Sequence, residues 1–358
     1  MIKGRQVIIA VLIGVWAGVW SASATPLQVV SYNVENLFHP KHDSVMMDSL
    51  WVEKDDWEWT AEGERRWSYT RYERKVENIA RVLTNIGEWD GVDIAGLQEV
   101  ENAACLRKLC YTLRRGEYDF VHYESPDPRG IDVALVYKKS RVDTLNSKPI
   151  RIQNTDRCQV DLRVQNTDRC ADRVQTRDIL YVCARVDKRD TLHLFVCHLP
   201  SQRGGAAETE WKRETVKKVL QGAVDSVLAI EPQAKIVIMG DFNGEPSKGL
   251  PVTGDGLRGT GNGLPVTGDG LRGVSYREPV NGKETGTHKY QGRWSCLDQF
   301  YTSPALDSLS TVRIYDAEWV QEPDEKYLGL RPKRTFNGYR YQKDGFSDHL
   351  PIVLTTSL

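Results

Sequence analysis

Polar and ionisable residues cluster at the ends of several short apolar segments of this sequence. The segments YNVEN, LQEVEN, CHLPSQRGG, MGDFNGEPS and GFSDHLPI carry Asn33, Glu99, His198, Arg203, Asp241, Asn243, Asp348 and His349. A single Asp or Asn after a strand usually caps a turn. Five such ends in one chain are hard to explain as independent caps. Because ligands of α/β proteins gather at strand ends, we expect these side chains to meet in one cleft.

The residue types suit metal-assisted hydrolysis of a phosphate ester. Mg²⁺ prefers oxygen ligands and keeps several waters, so one or two carboxylates suffice, and the ion offsets charge on the phosphoryl oxygens. A histidine pKa of about 6.5 suits proton delivery near neutral pH. Asp298 follows an apolar strand-like run, where an unpaired carboxylate would be costly. The sequence contains no G-x-S-x-G motif that would indicate a serine nucleophile.

Short apolar segments alternate with helical patterns along the chain. Strands are predicted at 27–34, 92–100, 118–123, 131–137, 178–186, 191–199, 234–240, 295–303, 311–316 and 349–356. Helices are predicted at 72–86, 102–113 and 206–230. Many strands, few helices and no long Pro/Ser linker favour one α/β domain with packed sheets.

Composition and the N-terminal segment indicate an exported globular protein. The chain has 358 residues, of which 40% are hydrophobic and 27% charged, which excludes a disordered or fibrous protein. The 48 basic and 49 acidic residues give no overall positive charge that would indicate nucleic acid, although a local patch is enough for binding. Residues 1–24 read as a cleaved signal peptide, because a basic start, a short apolar run and Ser-Ala-Ser-Ala follow one another. We therefore expect a secreted or periplasmic protein with a single domain at 25–358.

Two internal repeats and one aromatic stretch interrupt the pattern. QNTDRC occurs at 153–158 and 165–170, and GLPVTGDGLRG occurs at 249–259 and 263–273. Two copies are too few for a solenoid, so exposed loops or edge hairpins with little core contact are predicted for both repeats. For the tryptophan-rich residues 51–72, a loop packed by its own aromatic rings is favoured over a stacking surface for a ligand.

The motifs SYNVEN, LQEVEN, HLPSQRGG, GDFN and SDH, in this order, resemble the endonuclease/exonuclease/phosphatase superfamily, whose fold is that of pancreatic DNase I. The resemblance runs from about Leu27 to the C-terminus. RGIDVALVY and GTHKYQGRWSCLDQF are similar to a secreted bacterial branch. The resemblance implies a four-layer α/β sandwich, in which two mixed β-sheets pack face to face with helices outside. It also implies a phosphoester hydrolase that depends on Mg²⁺, with Mn²⁺ as an alternative ion.

The same resemblance implies ligands for the metal and groups for the attacking water. Glu99 would be the main metal ligand, with Asn33 beside it and Asp348 assisting. Asp241 would orient or deprotonate the water, and Asn243 would hold the phosphate.

Histidines complete the implied site. His198 and His349 would contact phosphoryl oxygens, and one of them would protonate the leaving oxygen; the sequence does not decide which. Asp298 resembles the Asp that orients the final His of the family. Arg203 lies in a Gly-rich loop, where it would either bind substrate phosphate or remain a solvated charge.

Three functions compete at this point. The favoured one is an exported Mg²⁺-dependent phosphodiesterase that acts as a DNA or RNA endonuclease, with nucleic acid or another phosphate ester as substrate. The alternative is a phosphatase or a sphingomyelinase-like phospholipase C on a small or lipid phosphate, which would use the same residues. A non-catalytic binding protein of the same fold is disfavoured, because it would have lost at least one implied site residue. We expect a monomer with no stable membrane span after signal cleavage.

Overall fold

The fold was obtained as a computed structural model, which describes residues 25–47, 50–88, 90–152, 176–246, 257–258, 271–273 and 286–358. The strands are β1 (Leu27–Leu37), β2 (Ser44–Met47), β3 (Leu50–Glu53), β4 (Ile94–Val100), β5 (Tyr118–His122), β6 (Asp132–Lys138), β7 (Val142–Ile150), β8 (Ile179–Val186), β9 (Asp190–His198), β10 (Lys235–Asp241), β11 (Leu257–Arg258), β12 (Leu271–Gly273), β13 (His288–Tyr290), β14 (Arg293–Ser295), β15 (Asp298–Thr302), β16 (Ser310–Ile314), β17 (Gln321–Pro323), β18 (Leu330–Pro332), β19 (Phe336–Asn337), β20 (Arg340–Tyr341) and β21 (Ile352–Thr356). The helices are α1 (Tyr69–Ile86), α2 (Ala103–Leu113), α3 (Ala206–Ile230) and α4 (Pro304–Asp307), with short 3₁₀ turns at Trp57–Trp59 and Glu318–Val320.

Two large mixed sheets contain most of these strands. The six-stranded sheet has the order β16-β21-β1-β4-β6-β5, and the seven-stranded sheet has the order β11-β12-β15-β10-β9-β8-β7. Strands β1 and β4 are parallel, as are β9 and β10, and most other neighbours are antiparallel. Each sheet therefore has a central parallel pair whose carboxyl ends lie side by side.

The sheets pack face to face between helices. Val29 and Ile94 of one sheet share a buried apolar cluster with Val237 and Met239 of the other. Gly96 permits this close approach, since a Cβ there would lie 2.5 Å from the Met239 sulfur. Helices α1 and α2 cover the outer face of the six-stranded sheet, and α3 covers that of the seven-stranded sheet. The four-layer sandwich expected from the sequence is confirmed.

Apolar faces and capping residues in the local sequence account for the long helices. The apolar face of α1 is buried from Tyr72 to Ile86, and the side chain of Ser68 caps its first turn by accepting a hydrogen bond from the Arg71 N–H. Asn102 caps α2 in the same way, through bonds from the N–H groups of Ala104 and Cys105. Helix α3 has the predicted bounds.

One element differs from the expectation. Strand β7 was not predicted, because it is an edge strand with mostly exposed residues and a proline, and so lacks apolar alternation. In the second repeat, where exposed loops or edge hairpins were predicted, both copies contribute a short strand at the sheet edge. Leu257–Arg258 pairs in parallel with Leu271–Arg272, and β12 pairs with the edge of β15. The open edge of β15 offers its backbone groups to the second copy, and the first copy pairs with the second. The QNTDRC repeat lies outside the described residues.

The aromatic stretch packs less on its own rings than was favoured above, because Trp59 and Trp67 also pack on Phe38 and Phe336 from other segments. Trp67 and Trp59 are buried, their rings meet edge to face at 5.7 Å, and Phe38 stacks on Trp59 at 4.9 Å. Trp57 and Tyr69 are exposed, and Trp57 stacks on His42. In the described part of the chain, no helix is both long and apolar enough to cross a membrane.

Candidate active site

Strand register places three of the predicted residues side by side. Asp241, the last residue of β10, is paired with His198 on β9 and with Asp298 on β15. Residues paired in this way on neighbouring strands point to the same face of a sheet. The three side chains are buried, with His198 at 4%, Asp241 at 2% and Asp298 at 0% exposure. The centre of the site is therefore built into the seven-stranded sheet.

The six-stranded sheet supplies Asn33 and Glu99 from the ends of β1 and β4. The register between these strands shifts after Asn33, and the register between β4 and β6 shifts beside Glu99. Glu99 has a φ of 64° and Asn36 one of 57°, a left-handed conformation that is uncommon for residues other than glycine. Bulges of this kind re-aim side chains next to functional sites. Here the Asn36 N–H donates to Oε2 of Glu99 at 2.9 Å and so fixes that carboxylate.

Asp241 is the point at which the two sheets meet. Its Oδ1 accepts the Asn243 backbone N–H at 2.8 Å, and its Oδ2 accepts the Asn33 side-chain amide at 3.2 Å. Nε2 of His198 lies 3.6 Å from the same Oδ2, and Nε2 of His349 lies 3.9 Å from it. Two imidazoles thus face one carboxylate across a small gap.

Glu99 and His349 join this cluster from different directions. Oε1 of Glu99 is 3.9 Å from Nε2 of His198. Nδ1–H of His349 donates to Oδ2 of Asp298 at 2.7 Å, which leaves its Nε2 directed at Asp241. The Ser347 hydroxyl ties the loop before β21 to β1, because it donates to the Asn33 carbonyl and accepts the His349 N–H. The structure therefore brings Glu99, Asp241 and His349 together, although they are far apart in sequence.

The surroundings of His198 and His349 shift the pKa values of the two imidazoles in opposite directions. Burial, together with the cations Arg177 and Arg129, holds the pKa of His198 well below its usual value. Burial alone would also lower the pKa of His349, but the Asp298 and Asp241 carboxylates outweigh it and raise that pKa well above the usual value. His198 is therefore neutral and His349 cationic near neutral pH. Burial raises the pKa of Asp241.

The remaining predicted residues, Asp348, Asn243 and Arg203, differ in the contacts that they make around the site. Asp348 is half-buried beside His349, and its pKa is lowered because His349 and His288 outweigh the effect of burial. The Asn243 side-chain N–H donates to the Leu199 carbonyl at 2.9 Å, so this group ties two loops together. Arg203 is exposed on the loop after β9, and among the described residues no hydrogen bond or ion pair joins its guanidinium to the cluster.

A family model described as the Endonuclease/Exonuclease/phosphatase family matches residues 28–357. The chain belongs to this family. The match covers all of the residues that surround Asp241. Members of the family hydrolyse phosphoester bonds, and they typically depend on a divalent metal. No curated protein sequence matches the chain significantly.

Solved structures of the same superfamily share the fold. Truncated TDP2 from Caenorhabditis elegans is 16% identical, with a TM-score of 0.52 over 93% of this chain and 98% of that one. An endonuclease/exonuclease/phosphatase family protein from Bacteroides thetaiotaomicron is 14% identical, with a TM-score of 0.51 over 94% and 100%. A mannosyl-6-phosphatase from the same organism is also 14% identical, with a TM-score of 0.51 over 93% and 100%. At these identities the similarity shows the DNase I-like fold alone.

Several residues at the family site were missed by sequence reasoning. His288 lies beside His349, with ring centroids 4.8 Å apart, and no local motif singled it out. Arg177 is buried and donates to the Leu199 carbonyl and to Asp127. His193, by contrast, lies outside the site: it is 8% exposed and bonds the Tyr181 hydroxyl at 2.9 Å beneath α3. Only the packing of distant segments reveals these positions.

Two clusters in the described part of the chain have the composition of a metal site. In each, three side chains bring one ligand atom apiece within 4.8 Å of the others; the clusters are His288, Asp348, His349 and His122, Glu124, Asp132. In the second cluster, the Lys54 ammonium lies 2.7 Å from Glu124 and already supplies the positive charge. At the active site, the Glu99 and Asp348 carboxylates are the oxygen donors that a hard divalent ion requires. The residues present therefore fit the metal that the family implies.

Proposed function

We propose that this protein hydrolyses a phosphate ester by metal-assisted attack of water. The observation that carries the proposal is the position of Asp241, whose Oδ2 is faced by Nε2 of His198 and Nε2 of His349 at 3.6 and 3.9 Å. A water bonded to this carboxylate would lie between a neutral and a cationic imidazole. That combination offers a base, a hydrogen-bond donor and an acid within reach of one phosphoryl group.

Asp241, His198 and His349 would each have a separate role in the hydrolysis. Asp241 would take the proton of the water, since the raised pKa of a buried carboxylate makes it a stronger base near neutral pH. Neutral His198 would donate one hydrogen bond to a phosphoryl oxygen. His349, held by Asp298, would stabilise the charge that develops during attack.

Glu99 and Asp348 would hold the metal, with the carbonyl oxygen of the Asn33 side chain beside them. When bound, such an ion supplies a Lewis acid that stabilises negative charge on the phosphoryl oxygens. The Asn33 amide already donates to Asp241 and its Oδ1 accepts the Glu35 N–H, so this side chain is held in one orientation. The bond from the Asn36 N–H orients Glu99 in the same manner.

Three of the cations near α1 are engaged within the fold, and on this ground we favour a small phosphate ester over duplex nucleic acid as substrate. Lys75 is buried and bonds the Phe346 carbonyl at 2.6 Å. Arg65 lies over the Trp59 ring at 4.6 Å, and Arg71 lies over the Tyr341 ring at 4.7 Å. These charges stabilise the fold, whereas duplex affinity depends on cations that are open to phosphates.

A substrate panel tests both the proposed hydrolysis and the preference for small phosphate esters. The purified protein would be assayed with Mg²⁺, Mn²⁺ or EDTA on nitrophenyl phosphate, bis-nitrophenyl phosphate, a sugar phosphate, sphingomyelin and plasmid DNA. Asp241→Asn serves as the control for contaminating enzymes, because it keeps the shape of the side chain. Hydrolysis that is equal in the wild-type protein and in Asp241→Asn on every substrate would overturn the proposal. Cleavage of DNA alone would overturn the preference for small esters.

We also propose that the protein is exported by a bacterial cell, as the sequence of residues 1–24 indicates. These residues lie outside the described part of the chain. N-terminal sequencing of protein recovered from the periplasm or medium should begin at Thr25. Recovery of the chain in the cytoplasm with Met1 intact would contradict export.

A further inference from the structure

The short hairpin of β13 and β14 places His288 against the loop that carries His349. The two residues form an isolated antiparallel bridge, and the Leu350 N–H donates to the Thr287 carbonyl at 2.7 Å. On the other side of the hairpin, the Lys289 ammonium lies 3.1 Å from the Asp324 carboxylate and donates to the Leu328 carbonyl at 2.6 Å. His288 is thus held in place by backbone and side-chain contacts on both sides.

The side chains around His288 form a compact set of ligand atoms. Nε2 of His288 is 4.0 Å from Oδ2 of Asp348, and the ligand atoms of His288, Asp348 and His349 all lie within 4.8 Å of one another. Atoms that bind one ion at about 2.1 Å lie about 3 to 3.5 Å apart. A small rotation of these side chains is enough to reach that spacing.

His349 also has the outer partner that metal-binding histidines normally have. A ligating imidazole usually donates its second ring N–H to a carboxylate, which fixes the ring and makes the free nitrogen a better ligand. Here Nδ1–H of His349 donates to buried Asp298 at 2.7 Å, so Nε2 is the nitrogen directed into the cleft.

We propose that His288, Asp348 and His349 form a subsite with two nitrogen ligands and one oxygen ligand, which binds a divalent transition ion such as Mn²⁺, Co²⁺ or Zn²⁺ in preference to Mg²⁺. Imidazole suits these ions, whereas Mg²⁺ prefers oxygen ligands. The inference rests on the proposed function and changes one assignment in it. His349 releases its Nε2 proton to solvent when this nitrogen binds the ion, and His198 remains as the imidazole that contacts the phosphoryl group directly.

Metal binding without substrate tests the subsite separately from activity. The EDTA-treated, desalted protein would be titrated with Mn²⁺ and with Mg²⁺ by calorimetry. We expect His288→Phe, which keeps an aromatic ring but removes the nitrogen, to weaken Mn²⁺ binding at least about 10-fold and to change Mg²⁺ affinity less than about twofold. The matched control is His42→Phe, because His42 has similar exposure, pairs with Asp56 and stacks on Trp57 outside the site. Its Mn²⁺ affinity should stay at the wild-type value.

Pulsed electron paramagnetic resonance of bound Mn²⁺ counts the nitrogen ligands directly. The wild-type protein should show two coupled nitrogens and His288→Phe one; His288→Gln provides a second variant if the phenylalanine disturbs the fold. No coupled nitrogen in the wild-type protein, or equal losses of Mn²⁺ and Mg²⁺ affinity in the variant, would overturn the inference. Phosphate-ester hydrolysis that persists with Mg²⁺ in that case would leave the proposed function intact. The reverse result, nitrogen-ligated Mn²⁺ without hydrolysis, would contradict the function alone.

Discussion

Asp298→Asn perturbs one charged hydrogen bond at the centre of the site. In the wild-type protein, Nδ1–H of His349 donates to Oδ2 of Asp298 at 2.7 Å, with side-chain exposures of 7% and 0%. Asparagine keeps an acceptor of the same shape but removes the charge. A hydrogen bond to a charged group contributes about 1.5–3 kcal/mol and a neutral one about 0.5–1.5 kcal/mol. We therefore expect the free energy of unfolding to fall by about 1.5 kcal/mol when His349 is protonated.

The loss of stability should depend on pH with a defined sign. Although burial lowers the pKa of His349, Asp298 and Asp241 raise it well above the value of the unfolded chain. A raised pKa in the folded state stabilises the protein fully below the unfolded pKa of about 6.5, and this contribution disappears as pH rises through the folded pKa. The difference between wild type and Asp298→Asn should thus be largest in mild acid and shrink in alkali.

Urea unfolding in EDTA at about pH 6 and about pH 10 measures this difference. The control is Asp316→Asn, an exposed carboxylate on another loop, which should change stability by less than about 0.5 kcal/mol. Turnover should also fall in Asp298→Asn, but less than in a variant that lacks the imidazole. A loss of stability that is absent in mild acid, or equal at both pH values, would refute the electrostatic account of the Asp298–His349 pair.

EDTA should abolish hydrolysis, and Mg²⁺ or Mn²⁺ should restore it; full activity in EDTA would point to a metal-free mechanism. Glu99→Gln should raise the metal concentration that is needed for the half-maximal rate. His198→Ala and His349→Ala should each lower turnover at least about 10²-fold. His193→Ala is their control, because that side chain bonds Tyr181 beneath α3, and an equal loss would show that the face of β9 has been misassigned. Deletion of residues 260–273 removes one repeat copy and should preserve solubility and activity, because the remaining Leu-Arg-Gly can pair with β15. Insoluble protein after this deletion would show that both copies are needed.

Local sequence patterns determined most of the helices and strands, and the family resemblance implied their four-layer arrangement. Apolar residues at helical spacing identified most of α1, the full span of α3 was predicted as helical, and short apolar runs identified the central strands of both sheets. These signals are local, because a helix or strand that buries one face must repeat apolar residues at a fixed interval. Strand ends rich in carboxylates and histidines also indicated the sheet edge at which the cleft lies. These residue types are the ones that bind metal ions and transfer protons.

Only the tertiary structure decided how the site is assembled. The pairing of His198, Asp241 and Asp298 depends on the register of three strands, which no single segment encodes. His288 becomes part of the site because a hairpin bridges to the loop before β21, and its own sequence context carries no sign of this. Opposite pKa shifts of His198 and His349 follow from the charges and the burial around each ring, not from the residue type. Such contacts join segments far apart in the chain, so they exist only once the two sheets have packed.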